Sequence, residues 1–421
     1  MGDWVQVFRE NKRLLTFGFL FSFFSSFGQT FFVSLYVPFW IQSLDISNTA
    51  FGTLYATVTV VAAVLISFSG KYIDTIPLKN YALFVFGGLT LSVLLLSQAK
   101  SLVLLTAGLF LVRWLGQGLM THTSSTGIAK FFEGNRGKAL SFSAMGHPAG
   151  HFLLPFIMLP LIAFAGWSNS LIILSLIALL IMIPVILAIA PVCEAKSMEE
   201  KNNVKDSVKP AHTNHFKSLD FWIISLNIFA LPFILTAVFL YQYTIGEARG
   251  WSVSWVAFSF SFFAIFSAIG LLISGNLTDR FSGLFLFPLY LIPAILGVLM
   301  VTISDSQYVF PAFYALVGIA SGLGSTIKTA TQTEIYGTGN LGKVRSYFST
   351  ILVLSTALGP PVFAFLLDRN VPFNIIMAFS GLLIILSSLA SFRLWPLEYF
   401  SRMKALANVW VGKTKTRKSK P

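Results

Sequence analysis

Residues 132–141 read FEGNRGKALS, and residues 337–346 read GTGNLGKVRS. Asn135 and Asn340, Gly137 and Gly342, and Lys138 and Lys343 are each 205 positions apart. A second pair of segments keeps that offset: GKYIDTIPLK at 70–79 answers GNLTDRFSG at 275–283, with Asp74 and Asp279 again 205 apart. Pro155 and Pro360 repeat it once more. One spacing shared by separated landmarks marks a duplicated unit. Between the copies lies the one long hydrophilic insert, residues 192–218, VCEAKSMEEKNNVKDSVKPAHTNHFKS. The chain therefore divides into an N-terminal half (1–191), a linker (192–218), a C-terminal half (219–396) and a basic tail (397–421).

With 55% hydrophobic and only 11% charged residues, the 421-residue chain cannot clothe a soluble globule in polar surface. A bilayer-spanning helix takes about 20 mostly apolar residues. Twelve such stretches, six in each half, centre near residues 28, 60, 90, 112, 150, 178, 232, 263, 293, 318, 355 and 382, and are numbered here in that order. Stretch one, Leu14 to Trp40, is too long for a signal-peptide core and no small-residue cleavage site follows it, so it reads as a span. The expected fold is thus an all-α membrane protein of twelve helices in two pseudo-symmetric halves. If both termini are cytoplasmic, 25 of the 29 Lys and Arg fall on that side, as the positive-inside rule requires. That distribution accounts for the net charge of +13 through loops facing anionic lipid, with no nucleic-acid partner. The single Cys193 permits no internal disulfide.

Duplicated halves around a site at the bilayer midplane are a plan of secondary transporters. The segments Gly70 to Asp74 and Gly275 to Arg280 resemble the loop motif of the major facilitator superfamily, Gly-x-Leu-Ala-Asp-Arg-x-Gly-Arg-Lys, with Thr75 replacing the basic residue in the first copy. That resemblance implies a gating cluster of Gly70, Asp74, Gly275, Asp279 and Arg280 that holds the halves together on the cytoplasmic side and releases as they rock. Residues 113–118, RWLGQG, are similar to the family's buried-arginine motif, though Gln117 stands one place later than usual. The Gly-x-Pro-x-Gly centre at Gly146, Pro148 and Gly150 is similar to the monocarboxylate porter and oxalate-formate antiporter branch. The charged pair that branch carries in stretch eight is missing here, because Ser252 to Gly275 holds no charge.

Ionisable groups within a membrane are costly and therefore mark candidate sites. Counted from Ser101 at about 1.5 Å per residue, Arg113 lies roughly 18 Å into a core about 30 Å thick. Its planar fork suits a carboxylate, and equally suits backbone carbonyls of a neighbouring helix. His147 and His151 stand one turn apart on one helix face, where they could bond backbone, bind substrate or carry a proton near neutral pH. A metal site would need a third ligand that the spacing does not supply. His122 is a further proton-coupling candidate. Gly146 and Gly150 allow close helix approach, while Pro148, Pro155 and Pro360 predict bends. Neutral substrate-binding candidates are Gln29, Tyr36, Gln117, Asn227, Tyr241, Gln242 and Ser355. Lys328, about 17 residues beyond Pro311, is expected to snorkel to the surface.

The sequence thus points to a secondary active transporter of the plasma membrane, acting as a monomer without cofactor. It would move a small organic anion such as a carboxylate by alternating access, with proton symport. A proton-linked exporter of amphiphilic compounds would need a membrane carboxylate that the first six stretches lack. A membrane-embedded enzyme using His147 or His151 as base lacks a nucleophile or carboxylate partner at matching depth.

Overall fold

The computed structural model describes residues 2–131, 136–200, 218–336 and 341–396. Residues 201–217 of the 192–218 linker, the tail from 397, and residues 132–135 and 337–340 of the duplicated loops lie outside the described residues, as do the side chains of Asp74 and Asp279, while the first residues of the linker continue the helix that ends at Glu200.

The described residues are helical and contain no strand. Nine segments among them are long and apolar enough to cross a bilayer, against twelve stretches expected. The difference has three physical sources. Stretches five and six form one 48-residue segment, Phe142–Ile189. It is kinked at Gly166, whose φ of +78° and ψ of 162° suit a residue without Cβ. Stretch nine is divided into Gly283–Leu286 and the 12-residue helix Ile292–Ile303. Stretch one is broken into the helix Gly2–Phe24, the 3₁₀ turn Ser25–Gly28, and the helices Thr30–Ser34 and Val37–Leu44. In stretch five, Pro148 has no N–H to offer Ala144, and the helix is interrupted at Met145, between Arg136–Ala144 and the helix starting at Gly146. Stretch four carries a π-helical segment, Val112–Met120. Pro360 and Pro361 sit inside the continuous helix Leu341–Asp368.

The halves are joined on the face opposite the linker. The helix Asn48–Ser69 begins there with open backbone donors. Ser47 caps one of them, accepting from Ala50 N at 3.1 Å. Another is met from the other half: the Asp368 carboxylate accepts from Thr49 N at 2.7 Å, from Thr49 Oγ1, and from Asn48 Nδ2 at 3.0 Å. A carboxylate at a helix N-terminus is favoured by both hydrogen bonding and the helix dipole. Nearby, Tyr241 OH donates to the Asn48 carbonyl at 3.1 Å, and Gln242 Nε2 donates to Ser34 Oγ at 3.0 Å. Asp368→Ala removes the cross-half cap, which is worth about 1–2 kcal/mol, or roughly a tenfold change in a two-state population. Pulsed electron-electron distances between spin labels at the exposed positions 42 and 369 should lengthen and broaden in that variant. An unchanged distribution would show that the cap does not hold this face together.

Candidate functional site

The break in stretch one organises the candidate site. Gln29 is extended, with ψ of 152°, so the Gly28 carbonyl loses its helical partner: Phe32 N bonds the Gln29 carbonyl instead, at 3.1 Å. Arg113 takes up the freed acceptor. Its Nη1 donates to Gly28 O at 3.0 Å and its Nε to Thr59 Oγ1 at 3.1 Å. The guanidinium carbon lies 4.9 Å from the centre of the Tyr55 ring, and Tyr55 OH shares a 2.9 Å hydrogen bond with Thr30 Oγ1. Only 1% of Arg113 is exposed, and its Nη2 has no partner among the described residues.

The π-helical segment of stretch four brings this arginine close. A Cβ on Gly28 would stand 2.2 Å from Gln117 N and 2.4 Å from Val112 O, and one on Gly116 would stand 2.9 Å from Gly28 N. The two backbones therefore touch with no side chain between them.

The same break meets stretch five. Ser25 Oγ lies 3.3 Å from His147 Nδ1. A Cβ on Gly146 would lie 2.2 Å from Phe19 O, and one on Gly150 would lie 2.1 Å from Ser26 Oγ. His151 sits among aromatic rings from both halves: 4.3 Å from Phe31, 5.8 Å from Phe260 and 5.7 Å from Phe263. Stretch one thus gathers Arg113, His147 and His151 around residues 25–31. No group of three His, Cys, Asp or Glu suited to a metal occurs among the described residues.

The remaining candidates are dispersed. Buried Tyr36 shares a 3.3 Å contact with Ser170 Oγ. Asn227 donates to Ser391 Oγ at 2.9 Å and accepts from Tyr290 OH, which ties three stretches of the C-terminal half together. Ser355 donates to Phe229 O at 2.6 Å. Tyr241 and Gln242 join the halves as described, and Gln242 also accepts from Tyr314 OH at 2.9 Å. His122 lies against Gly70 and 3.4 Å from Thr126 Oγ1, one turn along its own helix. Arg280 is exposed, with its guanidinium 5.8 Å from the Phe281 ring centre. Gly275 faces open space. Most of the neutral groups that sequence alone offered to a substrate are thus hydrogen-bonded to protein. The break at Ser25–Gly28 escaped sequence reading; its signal is the small, polar run SSFGQT inside an apolar stretch.

The architecture is that of a helical membrane transporter built from two related halves. The family model described as Major Facilitator Superfamily matches residues 18–327 and 260–408. The chain belongs to that superfamily, a family of transporters. No curated protein sequence matches it. Among solved structures, the chain is similar to a bacterial homolog of the human lysosomal transporter Spinster, in an inward-facing and occupied conformation. The TM-score is 0.68 at 14% identity, over 92% of this chain and 97% of the other.

Gly28→Ala tests the backbone contact. The new methyl would meet backbone rather than a movable side chain, so overpacking of roughly 1–3 kcal/mol is expected. Gly87, with nothing within 4 Å of a Cβ, is the matched control. In detergent, Gly28→Ala should unfold several degrees below wild type and Gly87→Ala at the wild-type temperature. Equal melting of both variants would refute the contact.

Proposed function

We propose that this protein is a secondary active transporter that carries a small organic anion, such as a carboxylate, across the plasma membrane by alternating access with proton symport, both termini being cytoplasmic. The observation that carries the anion reading is a charge imbalance. Within the nine apolar segments Arg113 and Lys328 lie well inside, whereas the carboxylates Asp220, Glu247, Glu334 and Asp368 stand within three residues of a segment end. Glu334 and Asp368 are moreover occupied at helix starts. Cations without interior counter-charge are expensive in hydrocarbon, and an entering anion offsets that cost. An exporter that carries protons on an interior carboxylate would need the opposite arrangement.

Joining of the halves at Asn48 and Asp368 supports a state closed on the outer face. The solved Spinster homolog was likewise captured inward-facing. His151 supports the proton step, because its ring touches Phe31 of one half and Phe260 and Phe263 of the other. A charge gained there changes the seam between the halves directly. Acid on the substrate's side would load an imidazole, and the bound anion would favour the charged form.

The test is uptake of labelled small carboxylates into vesicles reconstituted with the pure protein. Uptake should rise as external pH is lowered and collapse when a protonophore dissipates the gradient. His147→Gln with His151→Gln should flatten that profile while leaving part of the uptake. A double variant with the wild-type pH profile would make both histidines structural, and no uptake of any carboxylate would overturn the anion reading.

A further inference from the structure

Lys328 does not simply run to a helix end. On the helix Val309–Tyr336, Lys328, Thr329 and Gln332 follow Ser325 at three, four and seven residues and so share one face with it. That face lines a cavity of about 360 Å³. The opposite wall comes from Phe348, Ser349 and Leu352 of the helix Leu341–Asp368 and from Ile228 of the helix Leu219–Ala248. Space for the lysine stem is left by Gly324, where a Cβ would sit 3.3 Å from Lys328 Cε and 2.6 Å from the Tyr290 ring.

The chemistry of the cavity is one-sided. No carboxylate lines it. Lys328 Nζ, the Gln332 amide and the Ser349 hydroxyl make no hydrogen bond or ion pair with the described residues. An ammonium, an amide and a hydroxyl are three kinds of donor, and an oxyanion is the ligand that uses them together. Ile228, Phe348 and Leu352 supply an apolar wall beside them, suited to a short hydrocarbon body, and the volume falls in the range of small-ligand sites.

Arg113 is almost wholly enclosed, with two donors spent on protein oxygens, whereas Lys328 opens on a cavity. Position 123, which corresponds to Lys328 through the 205-residue offset, is a buried threonine bonded to the Leu119 carbonyl at 2.6 Å. The arrangement therefore belongs to the C-terminal half alone.

We propose that Lys328, Gln332 and Ser349 form an oxyanion subsite that holds the carboxylate or phosphate of a small amphiphilic anion, with Phe348 and Leu352 against its apolar part. The part it plays in turnover rests on the anion-transport reading; its binding chemistry is tested separately.

The full-length protein in neutral detergent is acetylated with an amine-reactive ester, and the extent at each lysine is read by peptide mass spectrometry, with the exposed Lys100 as internal control. Saturating hexanoate, or inorganic phosphate, should slow acetylation of Lys328 roughly tenfold, in keeping with a charge-assisted contact, and leave Lys100 unchanged. The same measurement is repeated in vesicles of phosphatidylcholine with and without phosphatidylglycerol. Protection by the anionic lipid but by neither soluble anion would assign the subsite to a lipid headgroup, and protection by hexanoate assigns it to a solute. Gln332→Leu and Ser349→Ala should each weaken protection several-fold. Lys328→Arg should retain hexanoate binding measured by calorimetry, and Lys328→Gln should lose it. Equal modification of Lys328 with and without every anion overturns the proposal, as does a Lys328 that resists acetylation when no anion is present. Protection without uptake would leave the subsite standing and remove the transport reading; uptake without protection would do the reverse.

Discussion

Hydrocarbon offers no hydrogen bonds, so a helix that breaks inside a membrane must find other partners for the backbone groups it releases. Here the break at Ser25–Gly28 releases the Gly28 carbonyl, and Arg113 answers it at 3.0 Å. Each feature resolves the difficulty of the other: the carbonyl gains a charged donor, and the guanidinium gains a fixed acceptor in place of water. The contact requires stretches one and four to touch backbone to backbone. Gly28 and Gly116 permit this, and the π turn that carries Arg113 directs it. The same break then presents Ser25 to His147 and brings Phe31 against His151. Arg113, His147 and His151 are thus arranged around one short interruption.

Much of the architecture was legible in the sequence because it depends on composition and repetition. The 205-residue offset, the apolar stretches and the loop motifs lead to the two-half transporter and to its superfamily. Other features were less legible for physical reasons. A π turn such as Val112–Met120 has no compositional signature. Polarity inside a membrane also does not reveal its partner. Asn227 and Ser355 look alike as candidates for substrate or protein, and the structure gives both of them protein partners. The distance of Lys328 along its helix places it toward the surface. Only the packing of three helices from stretches seven, ten and eleven shows the cavity beside it.

The two halves treat positive charge differently. In the first, Arg113 is built into the packing, and its removal would disturb the meeting of stretches one, two and four. In the second, Lys328 is left open to a cavity with donors beside it. The duplicated scaffold therefore carries a fixed cation in one half and an available one in the other, while Asp368 bridges them on the opposite face. On the proposed mechanism the anion completes the charge balance that the protein leaves open, and it does so when the halves are joined away from the linker. Rocking would then carry a neutralised interior across the membrane rather than an isolated charge.

The most direct measurement is the thermal unfolding of the purified full-length protein against small carboxylates, sugars, amino acids and hydrophobic cations. A ligand that binds only the folded state raises its stability by about 2.7 kcal/mol at a hundred times its Kd. Carboxylates should raise the unfolding temperature, and sugars and hydrophobic cations should leave it unchanged. Stabilisation by hydrophobic cations, with no carboxylate effective, would contradict the anion-transport reading.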